Sequence, residues 1–258
     1  MLIYSSEFYY FIFLERSKTR GITLNSWERT IMKGKNGKIV IVGDGETAQI
    51  AYEYFTYDSP YEVVAFCVEK DFLKKEELFG LPVVPFEELE KLYDPASYKV
   101  FVAISYTQLN RIRTRLYKEV KRKGFSAVSY VSSRAFVWRN VEIGENTFIF
   151  ENNVIQHHAK IGNNVILWSG NHIGHRSIIH DNCYISSHVV ISGYCEVGEN
   201  CFLGVNCCVG DNLKIAKDCI IGAGAVVVKN TEEGKVYIGN PARPTEKSSF
   251  ITFGVKEG

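Results

Sequence analysis

The sequence lacks an excess of either charge: 30 Lys and Arg stand against 29 Asp and Glu in 258 residues, a net charge of +1. Nothing global therefore draws the chain to nucleic acid or to an anionic membrane surface, and an anionic ligand has to be held by local groups. It also lacks an apolar run that could span a bilayer. The aromatic stretch Phe8, Tyr9, Tyr10, Phe11, Phe13, Leu14 falls far short of the ~20 residues needed and has Glu7 and Glu15 at its edges. With no CxxC pair and no secretory signal with a basic start, the expected compartment is a reducing cytoplasm.

What is present is a period of six. From Val137 through Ile143, Ile149, Ile155, Ile161 and Leu167 to Val227, every sixth residue is aliphatic at sixteen successive positions. This fits neither the helical 3.6 nor the two-residue strand alternation, and it predicts a parallel β-helix in which each hexad forms one face of a triangular prism. Three hexads make a coil of eighteen residues, so the run gives a little over five coils stacked at roughly 4.8 Å.

Small residues directly after the aliphatic position (Gly144, Gly162, Gly174, Gly198, Gly204, Gly222) are expected to turn the corners. Two residues before it the chain again prefers small side chains, and five of its seven cysteines sit there: Cys183, Cys195, Cys201, Cys207 and Cys219. That spacing makes them buried packing residues rather than a disulfide set or a metal site. Cys67 and Cys208 fall outside the pattern.

Ahead of the repeats, residues 36–133 read as a small α/β domain. Strands are expected at Ile39 to Val42, Val63 to Val68 and Val100 to Ile104, and helices at about Thr47 to Phe55 and 107–123, giving a three- or four-stranded parallel sheet. Gly43-Asp44-Gly45 joins the first strand to the first helix, where free backbone N–H groups can receive a phosphate or ribose. The third glycine of GxGxxG is missing, with Thr47 and Ala48 around its place, which argues against classical dinucleotide binding. Glu69 ends the second strand, where open parallel sheets often keep an acid for a ribose hydroxyl, and Ser105 and Tyr106 follow the third. The organisation expected is then an extension (1–35), the α/β domain (36–133), the β-helix (134–245) and a carboxy-terminal tail (246–258). Met32 stands just before the first strand, so residues 1–31 are either dispensable, through a misplaced start or an unordered arm, or an arm packed on a neighbouring subunit.

All six histidines fall between residues 157 and 188. His157, His175 and Gly193 are eighteen apart and should stack on one edge of successive coils. An imidazole projecting from such a corner can take a proton near neutral pH, which makes His175 the candidate base and His157 and His172 candidates for support.

The stretches Gly174-His175-Arg176-Ser177-Ile178-Ile179, Glu199-Asn200-Cys201-Phe202-Leu203-Gly204 and Ile221-Gly222-Ala223-Gly224-Ala225, with the closing Gly239-Asn240-Pro241-Ala242-Arg243, resemble the sugar acyltransferases of the NeuD and PglD type over about residues 36–245. The resemblance implies a nucleotide-sugar-binding α/β domain before a left-handed β-helix, assembled as a homotrimer with its site between subunits. It implies acetyl-CoA as cosubstrate, no metal, and an N-acetylated sugar nucleotide as product, made for a surface polysaccharide or glycoprotein. By position, His175 would be the general base and Gly193 would offer its N–H to the thioester carbonyl. Ala223, Gly239, Asn240 and Arg243 would line coenzyme A, and Gly43, Asp44, Gly45 and Glu69 would hold the nucleotide.

Two departures stand out. Arg176 replaces the family's acidic residue after the base, so what orients the ring is open, and Tyr184 replaces a histidine nine residues downstream. Direct transfer to a sugar amine is the leading reading, because no serine or cysteine stands in a recognisable nucleophile–base arrangement. O-acetylation of a sugar hydroxyl, a γ-carbonic-anhydrase-like zinc enzyme and a non-catalytic trimeric scaffold are the alternatives. His175 and His180 have a spacing that resembles the zinc class, but Arg139 stands where the third ligand belongs.

Overall fold

The computed structural model describes residues 35–256; the aromatic stretch within residues 1–31 lies outside them. Strand β1 (Gly37–Val42) lies between β2 (Tyr61–Val68) and β5 (Tyr98–Val102) in a sheet completed by β3 (Glu77–Leu78) and β4 (Leu81–Pro85), ordered β3-β4-β2-β1-β5. All neighbours are parallel except β3 and β4. The sheet has five strands rather than three or four, because β3 is two residues long and Pro82 and Pro85 hide β4 from a propensity reading. Helix α1 (Glu46–Asp58) covers the sheet with Ala48, Ala51 and Phe55. A single turn, α2 (Leu89–Leu92), precedes β5, and α3 (Arg111–Arg122) follows it.

Helix α3 starts four residues later than the sequence implied. Gln108, Leu109 and Asn110 hold φ of 52°, 50° and 66°, a left-handed turn that costs roughly 1–2 kcal/mol per residue. Leu109, fully buried against Ile220 and Val236, and the Asn110 amide, which donates to the Asn200 and Cys201 carbonyls, hold it in place.

From Tyr130 onward, two-residue strands form three parallel sheets. Sheet I runs from Tyr130–Val131 to Ile220–Ile221, sheet II from Phe136–Val137 to Val226–Val227 and sheet III from Glu142–Ile143 to Lys214–Ile215. The eighteen-residue register pairs Ile155 with Ile173 and Ile173 with Ile191, so the aliphatic column fills the prism. Each such side chain taken fully out of water contributes about 1.5–3 kcal/mol before entropy is counted.

The corners differ from the expectation in one respect. The residue in the left-handed region lies three after the aliphatic position and is usually Asn (Asn146, Asn164, Asn182, Asn200, Asn212), which tolerates that conformation. The glycines directly after the aliphatic position serve close packing between coils instead. A methyl on Gly174 would lie 2.4 Å from the Ser192 carbonyl carbon, and one on Gly204 2.6 Å from the Ala223 nitrogen. Cys183, Cys201 and Cys219 stand in one column with Thr147, and Cys195 stands one coil after Ser177; these thiols donate to backbone carbonyls as the hydroxyls do: Cys183 to Gly198 O at 3.1 Å, Thr147 to Gly162 O at 2.9 Å.

Along the corner that leads from sheet III back to sheet I, α3 and β5 dock by polar contacts. The Asn146 side chain accepts from Val102 N at 2.7 Å, and Arg111 pairs with Asp218. Arg113 is fully buried without a carboxylate, donating to the carbonyls of Asn164, Asn182 and Cys183 and to those of Ile104 and Ser105. Burial pushes its guanidinium down to about 10, which leaves it charged at neutral pH. Beside this corner an aromatic layer of Phe55, Phe101, Tyr130, Phe148 and Phe150 joins the α/β core to sheet I. Beyond Val226–Val227 the chain adds Lys235–Ile238 to sheet I, returns antiparallel as Arg243–Ser248 and forms α4 (Ser249–Thr252). Among the described residues no helix is long and apolar enough to cross a membrane.

Candidate active site

Two places in the molecule gather chemistry. The first lies at the carboxyl ends of β1, β2 and β5, where Gly43, Asp44, Gly45, Glu69, Ser105 and Tyr106 all line one cavity of about 640 Å³. Gly43 has φ of 117°, and a Cβ there would meet Ala103 O at 2.9 Å, so only glycine lets the turn pass under the neighbouring strand. The N–H groups of Glu46 and Thr47, in the first turn of α1, have no intrahelical acceptor and open onto this space. Glu69 is held by Arg115 in a bidentate pair with both N···O distances 2.9 Å. The fork fixes the carboxylate plane and leaves each oxygen a second lone pair for a hydroxyl. Arg115 escaped the sequence reading because its helix position carries no motif; its distance of one α/β unit from Glu69 was the available signal.

The second place is the corner from sheet II to sheet III. Coil stacking puts the His157 and His175 rings 5.4 Å apart, nearly parallel, with Tyr194 edge-on to His175 at 5.1 Å. Desolvation, followed by the neighbouring His158, His175 and Arg176, holds His157 below the ordinary imidazole range. Gly193, one coil on, makes room for the His175 ring: a Cβ there would lie 2.5 Å from His175 Cε1.

The N–H of Gly193, expected to face a thioester carbonyl, instead donates to Asp211 Oδ1 at 2.9 Å. It is not a free oxyanion donor in this structure, because the side chain of the next coil fills the direction in which it points. The acceptor facing the His175 ring is Gln156, whose Oε1 is 2.9 Å from His175 N and 3.3 Å from His175 Nδ1. The sequence reading left this acceptor open once Arg176 was seen after the histidine; one coil back was the place to look.

The remaining candidates lie elsewhere. Ala223, with the Gly239–Arg243 turn near it, belongs to the corner from sheet I to sheet II, so a single chain does not bring it to the His175 corner. Tyr184 is buried on sheet I between Trp168, Phe202 and Tyr106, on the side facing the α/β domain and not beside His175. His172 is half-buried on sheet II. His180 leaves after sheet III and meets Glu196 at 3.0 Å, so it does not converge with His175 within the chain. Among the described residues no group of three His, Cys, Asp or Glu could hold a metal ion.

The family model of bacterial transferase hexapeptide (six repeats) matches residues 140–175, 158–193 and 194–229. No curated protein matches the sequence. Among solved structures, perosamine N-acetyltransferase from Caulobacter crescentus, as a histidine-to-asparagine variant in complex with CoA and GDP-perosamine, is 28% identical with a TM-score of 0.73, over 82% of this chain and 98% of that one. The acetyltransferase domain of PglB from Neisseria gonorrhoeae, in complex with acetyl coenzyme A, shares the fold at 23% identity and a TM-score of 0.73, over 81% of this chain and 100% of that one. By its repeats, its domain order and these likenesses, the chain is an acyltransferase built as an α/β domain followed by a left-handed parallel β-helix, and it is similar to the sugar acyltransferases of the NeuD and PglD type.

Proposed function

We propose that the protein transfers the acetyl group of acetyl-CoA directly to the amino group of a nucleotide-linked amino-deoxysugar. The observation that carries this reading is the pairing, in one chain, of a nucleotide-sized cavity at the Gly43–Gly45 turn with a projecting imidazole at His175. The likeness to an enzyme solved with CoA and GDP-perosamine supports the substrate class. Gly43 to Gly45 and the start of α1 receive the diphosphate, Glu69 takes ribose hydroxyls, and Ser105 and Tyr106 close the far wall.

At the other place His175 acts as general base. The sugar amine attacks the thioester carbonyl carbon and its proton passes to the imidazole. The C–S bond then breaks, and the departing thiolate takes the proton back. A sugar amine needs less activation than a hydroxyl, which suits a neutral imidazole. Gly193 contributes the room the ring occupies. Ala223, Gly239, Asn240 and Arg243 line the coenzyme A of a neighbouring subunit's His175 corner, which requires a homotrimer. Light scattering checks this, with a trimer mass expected at micromolar concentration.

The experiment on the reaction follows loss of thioester absorbance with UDP-, dTDP- and GDP-linked amino sugars beside their hydroxyl counterparts. An amine should be consumed fastest. Faster acetylation of a hydroxyl would move the assignment to O-acetylation.

A further inference from the structure

At three corners of the β-helix, the backbone N–H two residues after the aliphatic position is met by the side chain eighteen residues on. Glu145 N donates to Asn163 Oδ1, Asn163 N to Asp181 Oδ1 and Gly193 N to Asp211 Oδ1, at 2.7–2.9 Å. His175 N cannot make this contact, because the residue eighteen on is Gly193, which has no side chain and cannot have one beside the imidazole. Its N–H turns instead to the coil before, to Gln156 Oε1 at 2.9 Å. Register allows this: Ile155 pairs with Ile173, and Gln156 N donates to Ile173 O at 3.0 Å, so the side chain starts directly beneath the His175 corner.

That backbone bond settles two assignments that coordinates alone leave open. A backbone N–H can only donate, so the Gln156 atom it meets is the amide oxygen. The same oxygen faces His175 Nδ1 at 3.3 Å, so Nδ1 must carry the proton. Nε2 then holds the lone pair.

We propose that Gln156 is the positioning residue for His175, fixing its ring in the Nδ1–H tautomer so that Nε2 is the basic atom, in the place where related acyltransferases use an acid next to the histidine. This rests on His175 being the base. It adds a difference in chemistry: a neutral amide orients the imidazole without raising its basicity, whereas a carboxylate would stabilise the imidazolium.

The test reads the tautomer in the free protein by long-range 1H–15N spectra of histidine-labelled samples, with His175→Ala assigning the signal. Wild type should show a protonated Nδ1 and an unprotonated Nε2. Gln156→Leu should lose that preference, and Gln156→Glu, which keeps an acceptor at the same distance, should retain it while moving the His175 titration to higher pH. In turnover, with whichever amino-sugar nucleotide reacts fastest, Gln156→Leu should lower kcat about tenfold and leave KM for acetyl-CoA within twofold. Gln156→Glu should restore kcat at high pH and move the acid limb of the profile upward. An Nε2–H tautomer in wild type, or one unaltered by Gln156→Leu, would overturn the proposal even if His175→Ala abolishes activity. Retained activity in His175→Ala with the expected tautomer change would instead remove the base and leave the hydrogen bond.

Discussion

The α/β domain and the β-helix build their sites in opposite ways. The first encloses a cavity: three strand ends, a glycine turn and a helix start converge on one space, and every proposed nucleotide contact comes from a single chain. The second presents columns. Residues eighteen apart share an edge, and each edge of the prism has its own employment: Asn and Asp side chains and carbonyls receive α3 and β5, His157 and His175 line a second edge, and Ala223 lies on the third. A cavity can hold a ligand by itself, whereas an open edge needs a wall from elsewhere. The nucleotide is therefore expected to depend on one chain and acetyl transfer on the assembly.

The comparison can be broken at its strongest point by His175→Ala, which should lower kcat by about two to four orders of magnitude while both KM values hold. Steady-state kinetics with calorimetry of coenzyme A binding check it, and turnover within threefold of wild type would remove His175 from the mechanism. Gly193→Ala acts on the same column through space. Its methyl, 2.5 Å from His175 Cε1, should push the ring away and cost about ten- to a hundredfold in kcat, again without touching nucleotide binding.

Changes in the cavity should have the opposite signature. Glu69→Gln breaks the fork with Arg115 and should raise KM for the sugar nucleotide about tenfold, with KM for acetyl-CoA within twofold. A change in both would mean that the two places are not separate. The contact that ties them, Arg113, sharpens the contrast differently: Arg113→Met leaves buried carbonyls unpaired and should cost about 3 kcal/mol. Scanning calorimetry should show a lower melting temperature, with the α/β domain unfolding first.

How far the sequence could be read follows the same division. In the β-helix the position modulo eighteen decides which residues are neighbours, so the His157, His175 and Gly193 stack and the cysteine column were legible from spacing. What spacing does not give is where a side chain turns. Gln156 reaching up to His175 and Asp211 reaching down to Gly193 N are one-coil contacts of opposite sense, and the family's own pattern pointed to neither. The left-handed turn residues were missed for a related reason: small residues after the aliphatic position looked like corners, whereas their size answers to the coil stacked on them. In the α/β domain the strand–glycine turn and Glu69 were legible as motifs. The β3–β4 pair, the turn before α3 and the buried Arg113 depend on tertiary packing and left no periodic trace.

The most direct measurement compares one amino sugar in two forms, linked to its nucleotide and free, as acceptors for acetyl-CoA. If the cavity of the α/β domain supplies binding that the His175 edge cannot, kcat/KM should fall by about three orders of magnitude or more without the nucleotide. Equal kcat/KM for the two forms would contradict the account and leave the α/β domain with no part in choosing the acceptor.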